Sequence, residues 1–247
     1  MIMRSSGVCF LVILFLSLSP YVMAQGPAPV RELTGVWEGR VNFDAQFAEM
    51  TGFGQEQFEA NRPFSGPRAG PVAESNDGYR VCDPLGFPRN VVYELSGTSF
   101  AEMPDRMLML MQYMRHWREI WTDGRALPTN VGTYEDGAPD PRYNGYSVGR
   151  WEDDYTFVVN STGFHEEVWA DEQGHPISVG AQIEERYHRV DHDSLEVTMT
   201  INDPVNYTEP FVTIRETLNW DEDQEFEEQL CIPSQALEYI RTFAPER

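Results

Sequence analysis

The chain has 247 residues and a formal charge of −22, and all 18 of its basic residues are arginine. So acidic a surface is a poor partner for nucleic acid or an anionic membrane. The absence of lysine removes Schiff-base chemistry, pyridoxal phosphate attachment and the phosphate-loop lysine together.

Residues 1–24 read as an export signal, with Arg4 as the positive start, Val8 to Leu18 as the apolar middle and Val22-Met23-Ala24 as the small-residue end. The apolar run is short for a bilayer span, so the expectation is cleavage, a periplasmic or secreted location and no stable membrane anchor. Residues 25–247 then form one domain. Cleavage leaves Cys82 and Cys231, which in an oxidising compartment most simply form one disulfide; two buried free thiols are the alternative.

Leu33 to Val41 predicts a first strand headed by Gly35-Val36-Trp37. A glycine two places before a tryptophan at this point resembles the lipocalin-like barrels, in which the indole closes the bottom of the barrel. Asp44 to Asn61 is helix-capable, with Phe47, Met50, Phe53 and Phe58 loosely at helical spacing. Residues 62–78 are a loop rich in Pro, Gly, Ser and Arg, and a strand is expected around Val91 to Leu95.

Met107 to Thr122 predicts two strands meeting near Gln112, the second entering a tight turn at Asp123-Gly124. A turn-rich loop covers 128–143. A hairpin follows, Ser147 to Trp151 and Tyr155 to Asn160, folded about Glu152-Asp153-Asp154. Phe164 to Gly180 is irregular and polar and carries His165 and His175. Three alternating runs, Ala181 to Arg189, Leu195 to Ile201 and Phe211 to Thr217, complete an antiparallel meander. The sum is an all-β fold, a lipocalin-like barrel of nine or ten strands with a short helical or irregular N-terminal insertion.

Several motifs together, Leu33 to Gly39, Thr122 to Arg125, Ser147 to Glu152, Thr162 to Phe164 with Trp169, Glu185 to Tyr187, and Asp203-Pro204 with Tyr207-Thr208, resemble a largely uncharacterised family of exported bacterial proteins. The resemblance implies export and supplies no catalytic residue.

Three chemistries compete. Gly145-Tyr146-Ser147-Val148-Gly149 spells a Gly-x-Ser-x-Gly nucleophile motif, with Asp171 and His175 downstream in hydrolase order, but the residues after it continue as strand where a hydrolase has helix. His188 and His192 straddle a strand end and no metal-ligand spacing is present, so no metal or cofactor is implied. Glu185 alternates with Ile183 and Tyr187 and so turns inward, where an apolar setting makes a carboxyl group a general acid or base. Arg118 or Arg215 could instead pair with it, as a structural ion pair or a clamp for an acidic ligand.

The leading expectation is a barrel that holds a small, partly apolar molecule in its interior, with Tyr113, Trp117, Trp169 and Tyr187 as walls and Arg118, Glu185 and Arg215 as anchors. The alternatives are a cofactor-free lyase, hydratase or isomerase moving a proton with Glu185 or His165, a serine hydrolase through Ser147, and a structural envelope protein with a filled core.

Overall fold

The structure is a computed structural model and describes residues 26–39, 46–92, 97–220, 222–223, 225 and 229–243. The export signal expected at 1–24 lies outside these residues. Nine strands close into one barrel: β1 (Gly35–Glu38), β2 (Thr98–Met103), β3 (Arg106–Met111), β4 (His116–Trp121), β5 (Tyr146–Trp151), β6 (Thr156–Thr162), β7 (Gln182–Arg189), β8 (Ser194–Asn202) and β9 (Phe211–Trp220). Each strand neighbours the next in sequence, and Trp37 of β1 pairs with Trp220 of β9 to close the ring.

The all-β barrel and its strand count are as the alternation predicts. On β7 and β8 every second residue is buried, Ile183, Glu185, Tyr187 and Arg189 on one, Leu195, Val197, Met199 and Ile201 on the other. These side chains meet Met107, Met109, Phe100, Phe157 and Val159 in one continuous core. Period-two patterning sends one set inward and leaves the other to solvent.

Three local expectations are corrected. The meander is antiparallel except between β4 and β5, which run parallel and share only Ile120↔Ser147 and Trp121↔Val148. Asp123-Gly124 therefore does not turn into a hairpin; residues 122–145 travel back along the barrel before β5 begins, as a parallel pairing demands. Val91 and Val92 belong to a short helix, α2 (Arg89–Val92), and Tyr93 to Leu95 lie outside the described residues. A C-terminal amphipathic helix, α3 (Pro233–Phe243), went unforeseen, and the expected N-terminal helix is shorter, α1 (Gly52–Ala60), capped by the Thr51 hydroxyl accepting from the Gly54 amide.

Both barrel ends are stopped by side chains. At one, Trp37 is fully buried, donates from its indole nitrogen to the Leu33 carbonyl at 2.9 Å, and lies under the Arg189 guanidinium at 4.6 Å. At the other, the mouth, the segment leading into α2 seats Phe87, also fully buried, against Phe164 and over Arg118. Cys82 and Cys231 form a disulfide that ties a 3₁₀ turn at Gly78–Val81 to the chain just before α3, so the bridge falls beyond the last strand.

Candidate functional site

Glu185 does share the interior with Ile183 and Tyr187, and it is wholly buried there. Both its oxygens are taken by Arg118 of β4, Nη1 to Oε1 at 3.2 Å and Nη2 to Oε2, and the Tyr187 hydroxyl donates to Oε1 at 2.5 Å. The remaining guanidinium donors reach Ser147 Oγ at 3.0 Å and Ser161 Oγ at 3.3 Å, and the two hydroxyls bond each other at 2.9 Å. Burial and the adjacent carboxylate hold the Tyr187 phenol well above its ordinary pKa, so it remains a donor. Five residues from β4, β5, β6 and β7 thus satisfy one another.

This arrangement disposes the carboxylate as half of a structural ion pair rather than as a free base. An acid or base must reach a substrate proton, and here Glu185 is wholly buried with both oxygens bonded to the guanidinium and the phenol, while the Phe87 ring lies over Arg118. Arg118 is the partner and Arg215 is not. The register shifts between Met199 and Thr200 of β8, opposite β9, so Thr213 and Ile214 are buried in succession and Arg215 is turned outward. Trp117 is likewise outside, 59% exposed, and Tyr113 leaves the barrel to meet Tyr79 edge-on at 5.5 Å.

The Gly-x-Ser-x-Gly pentapeptide has a packing explanation. Ser147 sits inside β5, bonded to Arg118 and Ser161, and His175 bonds Asp171 at 2.7 Å instead. Gly145 adopts φ +62, and a side chain there would lie 2.7 Å from the Thr162 carbonyl. At Gly149 a Cβ would stand 2.4 Å from the Phe157 ring and 2.7 Å from Ile120. The glycines admit the turn and the close β4–β5 approach; no strained strand-to-helix elbow exists.

Comparison with known protein families, curated proteins and solved structures finds no match.

A large concavity lies at the barrel mouth, outside the core, with a volume of about 980 Å³. Its walls come from four places: α1, the 132–141 stretch of the crossing segment, the irregular run from His165 to Gly180, and the loop joining β8 to β9. Val168, Trp169 and Ile177 form an apolar floor, since all three are buried. His165 and Trp169, expected at the barrel interior, meet here instead, about the rim and floor of this cleft.

His165 stacks on Tyr143 with ring centroids 4.7 Å apart, and its Nδ1 accepts from the Glu167 amide at 3.3 Å. Tyr143 donates to Glu167 at 2.6 Å, and that bond, with burial, pushes its phenol up to about 12. A second, smaller cleft of about 360 Å³ shares Asn61, Glu166 and Trp169 with the first. There the buried pair Asp77–Arg89 packs its guanidinium 5.2 Å above the Trp169 ring, which fixes the indole from behind.

One lining residue stands apart. Asn206, 2% exposed, donates to Asp203 at 2.8 Å, while its Oδ1 has no hydrogen-bond partner. Sequence reasoning missed it, because a single asparagine in a loop after Pro204 carries no periodic signal. Ser161 was legible in principle: it falls on the same face of β6 as Phe157 and Val159.

Proposed function

We propose that this is an exported β-barrel protein that binds a small, partly apolar molecule, and that the ligand sits in the mouth cleft rather than in the barrel core. The observation that carries the reading is the cleft itself: about 980 Å³, floored by Val168, Trp169 and Ile177, with His165, Ser178 and Asn61 among its polar lining residues. Ligand pockets are concave, mostly apolar, and equipped with a few placed polar groups. Export is supported by the signal-like first 24 residues and by the disulfide, which persists in oxidising compartments.

Val179 lines the cleft and is 37% exposed, so Val179→Trp adds bulk without disturbing the core. Native mass spectrometry of protein recovered from a periplasm should show a retained small molecule on the wild type. The same compound, at about 100 times its Kd, should stabilise the wild type by about 2.7 kcal/mol in thermal unfolding and leave Val179→Trp unmoved. Equal stabilisation of both proteins would place the ligand elsewhere and end this reading.

A second reading, catalysis in the same cleft, rests on His165 at the rim, held against Tyr143 and beside Glu167. Its proton transfer would be cofactor-free and would not involve Glu185.

A further inference from the structure

Five of the six tryptophans are engaged by the fold. Trp37 donates to the Leu33 carbonyl beneath Arg189, Trp121 lies against the guanidinium groups of Arg106 and Arg125 at 3.7 and 3.4 Å, Trp151 meets Phe157, Trp169 underlies Arg89, and Trp220 meets His192 edge-on. Trp117 differs. It stands on the outer face of β4, and its indole has no hydrogen-bond, ring or guanidinium partner among the described residues. Beside it β4 and β5 diverge. Their pairing begins only at Ile120↔Ser147, and nearer the mouth Asn144 Nδ2 reaches the Trp117 carbonyl at 3.4 Å, leaving an outward-opening cleft of about 280 Å³. This cleft shares no lining residue with the one at the mouth.

Arg142 stands on its wall. The backbone there is fixed, the amide donating to the Gly163 carbonyl and the carbonyl accepting from the Gly145 and His165 amides. The guanidinium itself is exposed, lies over the Tyr146 ring at 4.3 Å, and has no carboxylate or other acceptor among the described residues. In a chain with 40 acidic and 18 basic residues, an unclaimed guanidinium thus shares a cleft with an unclaimed indole.

We propose that this seam between β4 and β5 binds an acidic sugar, a uronate whose ring stacks on Trp117 and whose carboxylate is held by Arg142. The site is independent of the mouth cleft. A pyranose is apolar on its C–H-bearing face and polar around its rim, which suits one bare indole in a cleft whose other walls are polar. The planar guanidinium matches a carboxylate with two parallel hydrogen bonds. Arg106 takes Oε1 of Glu119 and leaves Oε2 to accept from a ring hydroxyl. The acidic surface elsewhere does not forbid an anion here, because at about 0.15 M salt charges beyond roughly 8 Å are screened and the adjacent guanidinium decides. An aromatic acid or a nucleotide would leave a flat apolar face in water, since Trp121, Tyr143 and Tyr146 are already engaged.

The six tryptophans give six indole N–H signals in a proton–nitrogen correlation spectrum, and the one absent from Trp117→Phe belongs to Trp117. The mature chain is titrated with disaccharides of galacturonate, glucuronate and mannuronate and with their methyl esters, which keep the ring and lose the charge. At least one uronate should move the Trp117 signal and bind about tenfold or more tightly than its ester. Arg142→Gln should abolish that preference, and Trp117→Ala should weaken acid and ester alike by about fivefold or more. Both side chains are exposed, so thermal unfolding of the variants should match the wild type. Equal binding of acid and ester overturns the assignment of Arg142 and of an acidic ligand. A uronate that moves other indole signals and leaves that of Trp117 in place refutes the site, as does a spectrum unmoved by all three. Phenylacetate or adenosine monophosphate acting on the Trp117 signal at lower concentration than any uronate ends the sugar assignment.

Discussion

At the scale of single residues the decisive contact is Arg118 with Glu185. Two charges in a dry interior lose hydration that their attraction only repays when every lone pair and donor is matched. Here Tyr187, Ser147 and Ser161 complete the matching. Glu185→Gln leaves a buried guanidinium without its counter-ion and is expected to cost about 3–5 kcal/mol in urea unfolding. The double variant Arg118→Met with Glu185→Leu should lose less than either single change, and ligand binding at the mouth should survive in it. A catalytic Glu185 would give the opposite pattern, with activity gone in both. His116 makes a second residue-scale case. Burial lowers its pKa below the ordinary 6.5, and its neutral ring donates from Nδ1 to the Tyr113 carbonyl at 2.9 Å while Nε2 accepts from Asn90 at 3.0 Å. A depressed folded value means the unfolded chain takes up the proton first. The stability this histidine contributes is therefore complete above pH 6.5 and is lost as pH falls through the folded value. His116→Asn should flatten that part of the stability–pH profile, as read by denaturation at a series of pH values; an unchanged slope would remove His116 from the account.

At the scale of elements, α3 is the piece whose attachment is most local. None of its residues is buried, and its contacts run chiefly to the 3₁₀ turn at Gly78–Val81, beside the disulfide. The bridge closes a 149-residue separation, for which chain entropy predicts a contribution of about 5 kcal/mol. Cys82→Ser with Cys231→Ser should lose stability by up to that amount and free α3 for limited proteolysis near Pro233. Retained protection of the helix would show that side-chain packing, not the bridge, holds it. The strands were readable because alternation is a local property: the inward set on β7 follows from counting by two. Arg215 was misread for a reason equally physical. The bulge opposite Met199 inserts a residue and exchanges the faces of β9, an event that no single strand's pattern reveals. The same blindness applies to α2, where an apolar Val91-Val92 pair serves a buried helical turn as well as a strand.

At the scale of the whole molecule, the sequence revealed a barrel without revealing whether it is hollow. Which side chains point inward is decided strand by strand. Whether they fill the space depends on registers such as Met109↔Arg118 and Val159↔Glu185, which bring distant residues to one level. Tertiary pairing of this sort also gathers the cleft, whose walls are drawn from segments more than 150 residues apart in Phe53 and Asn206. One irregular step in the strand order accounts for that gathering. Because β5 enters alongside β4 in the same direction, the polypeptide has to make a long outside return, and the Gly132–Pro141 portion of this return stands up as a parapet beyond the rim. Had a two-residue corner joined these staves, the mouth would be shallow and flush, with nothing to shelter a guest.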